Sequence, residues 1–149
     1  MTRHEARQCA LQALYQIDIS DSEVPDAIAF VLEDKTVSDR DLEYVRSLVV
    51  GTRNHLIELD EQLEKIMERW STERVGRVEL NVLRLATYEL LYDATMPAAS
   101  ILDEAVRLAK GYATEQSGKF VNGVLAKMLP VVRPDEAVKP GAGGKTEEE

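Results

Sequence analysis

Arg3, His4 and Arg7 stand in the opening segment TRHEARQCALQALYQ, within the first turns of a predicted helix. Positive charge there opposes the helix dipole, whose N-terminal end is itself partly positive. It is more unexpected still in a chain of 149 residues with a net charge of −9. Two readings are open. The group is a solubilising face, or it is an anion site in which arginines, free N–H groups and the dipole act together on a phosphate. A second group lies in RLAKGYATEQSGKFVNGVLAKML, where Lys110 and Lys119 flank a turn holding Tyr112, Thr114, Gln116 and Ser117, with Phe120 just beyond. Rings, amides and lysines suit single-stranded RNA, which is held by stacking and by contacts to base edges and backbone. The alternative for Tyr112 and Phe120 is core packing, because both sit close to apolar stripes.

Other chemistries find little to work with. The histidines are His4 and His55, in neither H-E-x-x-H nor C-x-x-C spacing, so no metal is expected. There is no G-x-S-x-G elbow and no phosphate-binding glycine loop, so no cofactor is expected either. Cys9 is the lone cysteine, set in an apolar stripe, and reads as core filler. No acid, base and electrophile stabiliser assemble, which argues against an enzyme. No apolar run approaches the ~18 residues of a membrane span, and the chain opens without an apolar leader. With no disulfide to form, a reduced, cytoplasmic setting is expected. The acidic total argues against a general polyanion binder, but a bound phosphate feels charges within about 8 Å far more than the sum. The charge is segregated: residues 18–44 hold nine acids against Lys35 and Arg40, whereas residues 107–127 hold Arg107, Lys110, Lys119 and Lys127 against Glu115 alone.

Helical spacing dominates, so the chain is expected to be all-α, with about seven helices. Ala6, Cys9, Ala10, Ala13, Leu14 and Ile17 make one stripe, started by the T-x-x-E capping box of Thr2 and Glu5. A second helix follows DSEVP with Pro25 in its first turn, and a third starts near Ser38 and divides around Gly51–Asn54 before ending at Trp70. Further helices are predicted over about 77–92, 98–113 and 115–129, the last stopped by Pro130. Two packed helical bundles are expected, over 1–70 and 71–132. Residues 133–149, rich in Pro, Gly and charge, read as a flexible tail.

The segments ALQALYQ, VLRLATYEL, ILDEAVRLAK and GKFVNGVLAK resemble the family of the transcription antitermination factor NusB, over about residues 3–133. The resemblance implies two packed three-helix-type bundles. It also implies binding of boxA in ribosomal RNA leader transcripts, together with NusE, a small-subunit ribosomal protein, within the RNA polymerase antitermination complex. The family's arginine-rich motif falls on Arg3 to Arg7, with His4 and Glu5 where arginines often cluster. Its RNA contacts map onto Arg3, Arg7, Tyr15, Lys119 and Phe120, with His4, Lys110, Gln116 and Ser117 beside them. The NusE-facing helix would carry Glu79, Arg84 and Tyr88. This reading needs the first helix and the turn before the last one to lie side by side. The alternative is a helical protein-interaction module or homodimer without direct RNA binding, for which the acidic stretch 18–44 speaks. An RNA-modifying enzyme is set aside, since the chain shows no Gly-rich cofactor loop and is too short for an added methyltransferase domain.

Overall fold

The capping box forms as its spacing predicts. Glu5 N–H donates to Thr2 Oγ1 at 3.0 Å, and Thr2 N–H donates to Glu5 Oε1 at 2.7 Å. These bonds start α1 (Arg3–Ser20), which stops where Asp21 turns left-handed at φ 57°. The computed structural model describes residues 1–67 and 74–137. Pro25 sits in the first turn of α2 (Val24–Val31). Ser38 caps α3 (Asp39–Asn54) by accepting from Asp41 N–H at 3.1 Å. The predicted division falls at His55, and α4 (Leu56–Ile66) follows. Then come α5 (Arg77–Tyr92), α6 (Ala98–Tyr112), α7 (Glu115–Val132) and the short α8 (Pro134–Ala137). Among the described residues every regular element is a helix.

α5 is the central helix. Leu80 to Thr87 are all buried, as are Glu89 and Leu90, because α1, α3, α4, α6 and α7 pack around it. Burial on so many sides takes in polar side chains as well, and Asn81, Arg84, Thr87 and Glu89 are buried beside the leucines. α6 and α7 form the tightest pair, and α1 is wrapped by α2, α3 and α5. One apolar core runs from Ala6 to Met128 without a break. The predicted division at residue 70 and the helix end at Trp70 lie outside the described residues.

Two expectations fail at the C-terminal end. α7 continues through Pro130 to Val132. Pro130 removes one N–H two residues from the helix end on an exposed surface, while Leu129 and Val132 still pack against the core. Nor does structure stop at residue 132. The Arg133 guanidinium donates to the carbonyls of Glu89, Leu90, Asp93 and Met96, so a cation closes the open C-terminal end of α5. Glu136 accepts from Arg133 at 2.7 Å and from Ala98 N–H, the first residue of α6, at 2.7 Å. Residues 138–149 of the expected tail lie outside the described residues. Charge-assisted bonds of this kind contribute more than neutral ones. Arg133→Ala is therefore expected to lower the unfolding free energy by about 1–3 kcal/mol in urea denaturation, with Arg133→Lys recovering only part of it.

Candidate functional site

Side-chain pairs fix how α1 lies. Arg7 meets Glu89 and Asp18 meets Arg77 and Asn81, so α1 runs antiparallel to α5. His4 Nδ1 lies 2.7 Å from Glu104 Oε1, and Gln12 Nε2 donates to Tyr112 Oη at 2.7 Å, so α1 runs parallel to α6. The opening helix and the α6–α7 turn therefore share one side of the molecule. The meeting point is the middle of α1, however, not its start. Arg3 and His4 stand about 12 Å further along, at 1.5 Å per residue.

The predicted site residues separate into those facing outward and those spent inside. Arg7 is a correction: only 1% of its surface is exposed, and its Nε and Nη2 donate to the Glu89 carboxylate at 3.1 and 2.7 Å. It has no surface left for a phosphate. Burial works to lower the Arg7 pKa, but the hydrogen bonds to Glu89 turn the net shift upward. Burial raises the Glu89 carboxyl above the ordinary glutamate range, with the Arg7 hydrogen bonds pulling the other way. Ser117 is also buried: its hydroxyl donates to Glu79 Oε2, and its N–H donates to Thr114 Oγ1 at 3.0 Å, capping α7. Ser117 and Glu79 thus clasp the N-terminal ends of α7 and α5 together, and neither is the free contact group expected of it. Arg84 is 6% exposed and holds Asp60 with both forks, at 2.8 and 2.7 Å, so its place in a partner surface falls away too. Tyr88 is half-buried in a ring cluster with Tyr92 and His55, its tip so close to Gly51 that a Cβ there would overlap it. Phe120 is partly buried against the core.

What faces outward is a mixed edge. Arg3 lies over the Tyr44 ring at 3.8 Å and remains exposed, while His4 and Arg107 both hold Glu104. Tyr15 and Tyr112 are each 38% exposed. Gln116 and Lys119 are exposed, and Lys119 holds no ion pair among the described residues. Lys110 pairs with Glu115 at 3.5 Å, its stem laid across Gly118, where a Cβ would come within 2.7 Å of it. That close approach gives Gly118 its reason. Gln12, Glu89 and Glu104 escaped the sequence reading. Gln12 had a signal, since Gln8, Gln12 and Gln16 recur every four residues on α1. Glu89 and Glu104 become meaningful only once α5 and α6 are packed.

A helical scaffold that offers amides, phenols and an unpaired ammonium along one edge has the make-up of a binding protein. The model of the NusB family matches residues 4–130, and the chain belongs to that family. It is 43% identical over 129 residues to the transcription antitermination protein NusB of Exiguobacterium sp., covering 87% of this chain and 98% of that one. The NusB of Geobacillus kaustophilus is 44% identical over 128 residues, covering 86% and 95%. Among solved structures, T. maritima NusB superposes with TM-score 0.84 at 36% identity, covering 92% of this chain and 96% of that one. A crystal structure of NusB and NusE in complex with double-stranded RNA matches with TM-score 0.79 at 34% identity, covering 88% and 99%.

Cutting one partner from a buried ion pair costs about 3–5 kcal/mol, whereas replacing both with apolar groups is often neutral. Arg7→Ala is expected to show that loss, and Arg7→Met combined with Glu89→Leu to recover most of it, in urea denaturation. The pH dependence follows from the raised Glu89 pKa. A carboxyl that binds its proton more tightly when folded stabilises the fold at low pH, and that benefit is lost as pH rises through the folded value. Removing Arg7 takes away the hydrogen bonds that hold the Glu89 pKa down, so Arg7→Ala should lose stability more steeply than the wild type as pH rises above the ordinary glutamate range.

Proposed function

We propose that this chain is an RNA-binding transcription antitermination factor that binds boxA in ribosomal RNA leader transcripts together with NusE, within the RNA polymerase antitermination complex. It acts by binding and carries out no chemistry of its own, in the cytoplasm. The observation that carries the reading is the Gln12–Tyr112 hydrogen bond. It joins α1 to the end of α6, and Tyr15, three residues on from Gln12, is on the same side of α1 and exposed like Tyr112. The RNA strand lies along this edge, bases on the rings and backbone at Lys119, with Lys110 and Arg3 extending the cationic path. Arg7 acts from inside, by positioning α1.

The shortage of free cations supports a shared site. Three phosphate contacts on a single strand give a salt exponent of roughly −2, so raising salt from 50 to 200 mM would cost on the order of 20-fold in affinity. NusE would supply what this surface lacks. Gel shifts with a boxA RNA, with and without NusE, test the reading. Tyr15→Ala is expected to weaken binding by about 5- to 100-fold, the worth of one stacked base. Lys119→Ala should weaken all RNAs alike and reduce the salt slope by about 0.7. Unchanged affinity in both variants, with helix content intact, would defeat the proposed edge.

A further inference from the structure

α2 supplies nothing to that edge and α3 only the Tyr44 ring beneath Arg3, yet the two helices enclose an apolar recess of about 690 Å³. Its walls are two ridges of four-residue period: Val24, Ile28 and Leu32 along α2, and Leu42, Arg46 and Val50 along α3. Ridges of this period on one helix leave grooves that a ridge from another helix fills. Eight residues rise about 12 Å, so the groove matches a helix of two to three turns. No segment of the described chain occupies it.

Its charge is set against its neighbourhood. Residues 18–44 are strongly acidic, yet the charged groups lining the groove are Lys35 and Arg46, with no carboxylate among them. Lys35 is exposed, and Arg46 is about half exposed and pairs along α3 with Glu43 at 2.8 Å. From this geometry we infer that the α2–α3 groove is a docking site for an amphipathic helix of a partner protein, apolar on one face and carrying a carboxylate that meets Lys35 and Arg46. Helix-in-groove binding takes apolar anchors at i, i+4 and i+7 of the bound helix, a span of about 10 Å that fits within the groove's length. A second copy of the chain is a poorer occupant, because it brings nine further negative charges against the acidic stretch. This surface is additional to the RNA edge and independent of it.

Selection from a displayed library of helical peptides on the full chain tests the proposal. Enriched sequences are expected to carry an apolar i, i+4 pattern with Asp or Glu beside it. Ala29→Arg, at an exposed groove position, should weaken their binding about tenfold or more, and Arg46→Glu should shift preference from Glu- to Lys-bearing peptides. Both variants should keep wild-type helix content and RNA affinity, which separates this site from the edge on α1. The inference is overturned if no sequence is enriched, if the enriched peptides are cationic, or if their binding ignores both variants. It is overturned as well if sedimentation reveals a dimer that Ala29→Arg abolishes, since a second copy would then fill the groove.

Discussion

The buried Arg7–Glu89 pair is the constraint from which the remaining geometry follows. Two charges held in an apolar interior must satisfy each other, and a guanidinium fork accepts a carboxylate in few orientations. The pairing therefore fixes both the rotation and the slide of α1 against α5. With that register set, Asp18 reaches Arg77 and Asn81 at the far end, His4 reaches Glu104, and Gln12 reaches Tyr112. Such a pair adds little net stability compared with well-packed apolar side chains. Its contribution is to select one arrangement of helices among several that bury similar area.

The same choice shapes the binding surface. By turning inward, Arg7 leaves the start of α1 less cationic than its sequence suggests, and Glu104 takes up both His4 and Arg107. In the proposed mode of binding, rings and amides carry a larger share of recognition, and these are less sensitive to salt than phosphate contacts. A surface of that kind discriminates by shape and gains affinity by sharing its ligand with a basic protein. This agrees with membership of a family in which NusB is found with NusE and RNA in one crystal structure.

The helices were legible because their signals are local. Thr2 with Glu5, Ser38 with Asp41, and Pro25 in a first turn each act within four residues, and the structure places helix starts at all three. The inward course of Arg7 left a fainter trace. Arg7, Leu11 and Leu14 fall at i, i+4 and i+7, which sets Arg7 on the buried side of α1. Its partner stands 82 residues away on α5, and no local pattern names it. Ser117 and Glu79, 38 residues apart, hid their bond in the same way. α7 passes the stop expected at Pro130 because this proline lies in the last turn, where its missing N–H leaves few further backbone bonds to lose. The polar and aromatic residues of the proposed edge stand out in the sequence, but which of them face water depends on long-range pairing.

Arg133 and Glu136 have a consequence for biosynthesis. A chain leaves the ribosome from its N-terminus, so these two residues emerge after all of the helices they tie together. Until they do, the carbonyls at the end of α5 and the first N–H of α6 lack the partners they have in the finished protein. The growing chain thus holds its central helix with a loose end until both residues have left the ribosome.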